Sequence, residues 1–318
     1  MCKFFDSHSQ QNLKISRLGY LGPIFLACLA AGCFLQFDSL TILDKDSYVS
    51  TIDQIGAVGP GAFFFLFNGI EVASALIFLL VSLMPISSVY GIAGVIFSYT
   101  LIFFNLFKND RFLFGCFFLI VFGLYLFDFW LSQLRSALAI TSIMYLVYKS
   151  HKASQFVRIF PVLLHIQSAI YSALLLTDLN SIKKVSVIFG LTLLCCLQIG
   201  YFLSLDIAIA EKINFYLYRD LELGASELNS KVTFAKALGF ACLSVLHIYL
   251  FRKYGIAEVA MICSAIIFIS FYDAPTIVGR INSMTVFFEP FVVARHNNVI
   301  KAAYILILLF GIFVKWVY

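Results

Sequence analysis

Residues 112–148 read FLFGCFFLIVFGLYLFDFWLSQLRSALAITSIMYLVY. Two apolar runs, 112–130 and 136–148, flank the short insert LSQLR, whose Arg135 keeps its charge at any ordinary pH. The first run approaches the roughly 20 residues that a helix needs to cross about 30 Å of hydrocarbon. The second is followed by the basic loop KSHKASQFVR at 149–158. The pattern predicts two membrane helices that turn at Arg135, and an ionisable side chain at such a turn is costly enough to suggest a function.

The rest of the chain is built the same way. Of its 318 residues, 62% are hydrophobic and 12% charged, with 36 Phe and only 6 Pro. The mean hydropathy is +0.96. This lies outside the range of soluble domains and predicts an all-α, polytopic integral membrane protein, since the short alternating segments of a barrel are absent. The net charge of +5 is spread between apolar runs without a basic tract, so no nucleic-acid partner is expected. Seven of the eight cysteines lie in apolar segments with neither CxxC nor Cys/His spacing, which argues for packing over disulfides or zinc. Neither metal nor cofactor is expected. Lys3, Lys14 and Arg17 precede the run 18–37, and AAGC at 30–33 faintly resembles a lipoprotein cleavage site. An uncleaved first span is the better reading, because the run is long for a signal core.

Lys and Arg mark cytoplasmic ends. On that rule residues 38–61 and 206–231 form external polar loops, 273–280 an outer turn, and NLFKNDR at 105–111 an internal one. About ten spans follow, in one polytopic domain covering 1–318. Parity then requires that one apolar segment between 62 and 107, divided at Met84-Pro85, not fully cross. Basic residues at both ends of 159–182 equally suggest a hairpin or a helix broken around 161–165, or else a single span with Lys183 and Lys184 outside. No internal repeat of the transporter kind is visible.

At helical spacing, Arg135 shares a face with Ser132, Ser136 and Ala139, and His165 with Ser168, Ala169 and Ser172. Either stripe alone reads as close helix packing. Arg280 in GRINSMTVFFEP (279–290) places a second guanidinium at an outer mouth, and Arg219 lies in the larger loop, where alone it reads as a solvated residue. Arginines gathered on one face suit a doubly charged pyrophosphate, since the planar fork makes bidentate, charge-assisted bonds.

LRSALAI (134–140) and LLHIQSAIYSALLL (163–176) resemble the Arg-x-x-Leu-Ala and His-x-Ser-Ala pair of EpsG-like O-antigen polymerases of the Wzy type. GRINSMTVFF resembles that family's late Arg with an aromatic pair, and DKDSYVSTIDQIGAVGPGAFFFLFN (44–68) its early loop. The chain departs from the pattern at Ser136, where Gln is common, and at Gly59-Pro60-Gly61, where an acidic residue is usual. The resemblance implies a GT-C-like glycosyltransferase of the bacterial inner membrane. It would join undecaprenyl-diphosphate-linked oligosaccharides at the periplasmic face to build O-antigen, capsule or exopolysaccharide, with a chain-length regulator as protein partner. It further implies that Arg135, Arg280, Arg219 and Tyr48 bind pyrophosphate or glycan. The catalytic base would come from His165, Asp46, Asp53 or Asp273, with His165 favoured because its ordinary pKa lies near neutrality. Two other classes compete. A lipid-linked oligosaccharide flippase would use the arginines without chemistry, and a membrane acyltransferase would use His165 but leave the outer arginines unexplained.

Overall fold

The computed structural model describes residues 17–58, 72–149, 155–165, 168–176, 188–192, 255–270 and 283–317, with isolated residues at 186 and between 238 and 249. Among the described residues every regular element is helical. They belong to two compact units. One comprises Met1–Gly115, Leu126–Ala153 and Leu163–His165; the other comprises Cys116–Tyr125, Ser154–Val162 and Ile166–Tyr318.

The first unit is organised on α1 (Leu21–Gln36) and α4 (Ser88–Phe107). Ala27 and Ala30 on α1 are fully buried, and such small residues let two helix backbones approach closely. The pair runs antiparallel. The Lys108 ammonium, just past the end of α4, lies 3.2 Å from the centroid of the Tyr20 ring, just before the start of α1. At the far end of α1, Lys45 Nζ donates to the carbonyls of Phe34 at 2.7 Å and Phe37 at 2.5 Å, satisfying oxygens that a helix terminus leaves open.

Lys45 begins α2 (Lys45–Val58). The polar loop expected over 38–61 is therefore a 14-residue helix for most of its length. Its buried residues, Tyr48, Ile52 and Ile55, fall at i, i+4 and i+7, so one apolar stripe packs inward while the polar residues stay outside. It rests against α3 (Val72–Ser82), with the Tyr48 and Phe78 ring centroids 5.6 Å apart.

The run 112–130 departs from the straight span expected. After α5 (Arg111–Phe118), capped by Asp110 Oδ1 accepting from the Leu113 amide at 3.0 Å, come two π-helical segments, Leu119–Leu124 and Leu126–Leu131. The second is anchored midway along α4. Trp130 Nε1 donates to Thr100 Oγ1 at 2.9 Å, the Tyr99 hydroxyl donates to the Trp130 carbonyl, and the Phe103 and Trp130 centroids lie 5.0 Å apart. The turn bearing Arg135 thus follows residues packed at mid-α4, where the sequence places it at the membrane surface. From it α6 (Leu134–Lys149) runs towards the Lys108 end, its Tyr148 ring 5.1 Å from that of Phe107.

Helix α7 (Gln155–Leu164) contains Pro161 and begins in the second unit, the chain leaves helix at His165 in the first unit, and α8 (Ala169–Leu176) belongs to the second. A break is found where the sequence suggests one. His165 consequently does not share a continuous helix with Ser168 and Ser172. Residues 283–290, the described part of GRINSMTVFFEP, are all buried. Phe288 stacks on Tyr171 at 4.9 Å, Phe287 stacks on Phe117 at 6.3 Å, and Thr285 Oγ1 bonds the Tyr171 hydroxyl at 2.6 Å and Ser264 Oγ at 2.9 Å. The stretch 281–294 is thus no continuous span: a helical turn at 283–285 leads through 286–288 to the six-residue α10 (Glu289–Ala294). The unit also holds α9 (Ile256–Ser270) and α11 (Asn298–Val317).

Among the described residues, α4 and α11 are long and apolar enough to cross a membrane, whereas α1, α3, α6 and α9 are apolar but shorter. Only 11% of α11 is buried, and Leu306, Phe310, Phe313 and Trp316 are exposed along it. A helix apolar on an open face needs lipid or another apolar surface to cover it.

Candidate functional site

Four segments of the first unit converge around Tyr48. The Arg135 side chain and the Leu134 backbone N–H lie close enough to its phenol to favour the charged form. Burial pushes the phenol up to about 12, the Arg135 charge opposes that rise, and Asp44 adds to it. Tyr48 is therefore a neutral hydroxyl with its own proton available for donation.

Ser132 fixes the approach to this cluster. Fully buried, its Oγ accepts from the Leu43 amide at 3.1 Å and donates to the Phe127 carbonyl, tying the segment before α2 to the turn before α6. Ser136 and Ala139 share α6 with Arg135 and are buried while Arg135 is half-buried, whereas Ser132 lies in the turn before the helix.

His165 is 6% exposed. The carbonyl of its neighbour Leu164 accepts a 2.5 Å hydrogen bond from Ser74 Oγ on α3. Ser74 lies one helical turn from Phe78, which packs on Tyr48. The His165 segment and Tyr48 therefore touch the same face of α3, one turn apart.

The aspartates do not join them. Asp46 and Asp53, seven residues apart on α2, lie on its exposed face, opposite Tyr48, Ile52 and Ile55. Asp53 Oδ1 instead accepts from the Ser88 hydroxyl at the start of α4, beside a cleft of about 320 Å³ between α2 and the α3–α4 turn. Arg219, Asp273 and Arg280 lie outside the described residues. No family model, curated protein or solved structure matches this chain.

Two features escape a sequence reading. Asp44 stands one turn before Tyr48 and acts electrostatically on it, a relation that i to i+4 spacing could have revealed. In the second unit, Glu258 is fully buried and paired with Arg295. Gly255 leaves space for this pair, because a Cβ there would collide with both side chains. Next to it, partial burial and then the Arg295 charge hold the His296 imidazole below its ordinary value. An acidic residue inside an apolar run was itself the available signal for Glu258. Among the described residues, no three His, Cys, Asp or Glu side chains gather closely enough to hold a metal ion.

Proposed function

We propose that this chain is a membrane-embedded polysaccharide polymerase of the EpsG-like, Wzy type, joining oligosaccharides carried on undecaprenyl diphosphate. One observation carries the reading: Arg135 lies in the first turn of α6, beside a neutral, buried tyrosine. A helix N-terminus already bears about half a positive charge, so local energetics disfavour a cation there by roughly 0.3–1 kcal/mol. A guanidinium kept in that position concentrates positive potential where a diphosphate would gain most from it.

In this reading about ten spans form one polytopic domain in a bacterial inner membrane. The α2 end of the first unit faces the periplasm and the Lys108–Arg111 end the cytoplasm. Arg135 binds the diphosphate of the donor, and Tyr48 positions the guanidinium and offers its hydroxyl proton. The acceptor sugar hydroxyl attacks the anomeric carbon of the donor glycan, and His165 takes the proton. The new glycosidic bond forms as the anomeric carbon–oxygen bond to phosphate breaks, and the electron pair leaves with undecaprenyl diphosphate. Arg135 stabilises the charge that develops there. A chain-length regulator is the expected protein partner.

The test is Arg135→Lys, which keeps the charge but loses the bidentate fork. Polymer made from purified lipid-linked repeat units should fall sharply at equal amounts of folded protein. Wild-type polymer from the lysine variant removes the clamp and with it the reading.

A further inference from the structure

The cleft beside Asp53 has a chemistry of its own. It is lined within the first unit by the polar residues Asp53, Ser82, Ser87 and Ser88 and by the apolar residues Ile52 and Ile86. A carboxylate offers about four acceptor sites, and Ser88 occupies one. Ser87 precedes α4 at the position where a serine commonly caps a helix, yet its side chain makes no capping bond. The cleft thus combines an acceptor-only carboxylate, hydroxyls that both donate and accept, and branched aliphatic walls. A volume of about 320 Å³ is at the small end of ligand sites.

We propose that this cleft binds a single sugar ring. A pyranose presents vicinal hydroxyls along its edge and C–H bonds on its face, which match the two kinds of lining. Asp53 accepts from two neighbouring hydroxyls, and the serines bond a third. A phosphate or carboxylate ligand would meet Asp53 as a like charge, and a purely apolar ligand would leave the carboxylate with only Ser88 as partner. The capacity to hold a sugar follows from the cleft alone. Its assignment as the acceptor subsite, holding the terminal residue of the growing glycan while the diphosphate sits at Arg135, rests on the polymerase reading.

Gly56 supplies the means of closing the cleft. A Cβ placed on it meets Ser82 only at 3.9 Å, an ordinary contact, so Gly56→Ala should fold and bind normally, whereas Gly56→Leu fills the cleft from a helix position that favours leucine over glycine. Saturation-transfer NMR on the full chain, in a detergent without a sugar head group, would be run with glucose, galactose, mannose, rhamnose and N-acetylglucosamine. At least one sugar should show saturable transfer to its ring protons with millimolar affinity. The signal should persist in Gly56→Ala, disappear in Gly56→Leu and weaken about tenfold in Asp53→Asn, equivalent to about 1.4 kcal/mol. Absence of saturable transfer from all five sugars overturns the proposal, as does an unchanged signal in Gly56→Leu. Saturable binding together with full polymerisation by Arg135→Lys would leave the sugar site standing and remove the polymerase reading.

Discussion

Arg135 and Arg295 are both half-buried guanidiniums at helix ends, but they occupy opposite ends. Arg295 closes α10, where the helix carbonyls favour a cation, and it is paired with the buried carboxylate of Glu258. Arg135 opens α6, where the exposed N–H groups oppose a cation, and it stands beside a phenol held in its neutral form. The helix end thus favours the first guanidinium and disfavours the second, so Arg295 fits its place on local energetics alone and Arg135 does not.

The sharpest break in that comparison is functional. Arg135→Lys should reduce polymer on the order of a thousandfold, in line with the loss of a group that meets developing charge. Arg295→Lys should leave polymer per folded molecule near wild type. Equal losses in both, at equal folded protein, would erase the distinction. Next in size is His165→Gln, which preserves hydrogen bonding but cannot take up a proton near neutrality. Chain extension should fall about a hundredfold. Wild-type chain lengths from that variant in liposomes would pass the base role elsewhere.

For the second unit the expected effect is on stability. Glu258→Ala leaves Arg295 without its buried partner and should cost about 3 kcal/mol or more, read as a lower Tm in detergent. The double variant Glu258→Gln with Arg295→Gln should recover most of the loss. A single variant as stable as the parent would show the pair to be dispensable.

The smallest effect concerns Tyr48. Its phenol is raised from 10 to about 12, chiefly by burial, so above pH 10 the unfolded chain sheds a proton that the folded chain keeps. Stability from this group is full below pH 10 and falls as pH rises towards 12. Tyr48→Phe should cost about 1 kcal/mol at pH 7, because the Arg135 guanidinium loses the polar group beside it. Above pH 10 the gap in Tm between parent and variant should narrow. Parallel curves up to pH 12 would place the phenol in contact with solvent.

Much of the helical order was legible because apolar runs determine it. The run at 136–148 appears as α6, and Pro161 announced the departure from helix at His165. The π-helical path of 119–131 was not legible. A run of Phe, Leu and Ile satisfies several helical registers, and here the choice is made by Trp130 finding Thr100 and Tyr99 on another helix. Helix α2 was read as loop on its polarity, although Tyr48, Ile52 and Ile55 already had helical spacing. The same spacing puts Asp46 and Asp53 on the face opposite Tyr48, which a loop reading does not reveal. Arg135 and Tyr48, singled out by the cost of the charge and by the family resemblance, prove to be neighbours.

The kink between the π-helical segments has a consequence for how the polypeptide is made. The carbonyls of Gly123 and Leu124 are met by Trp316 Nε1, at 2.9 Å, and by Lys315 Nζ, donors 193 and 191 residues further along. A side chain on Gly123 would obstruct this approach by meeting Ile312. During translation these two oxygens therefore lack those donors until nearly two hundred more residues have been synthesised. The bend is written early in the message and completed late.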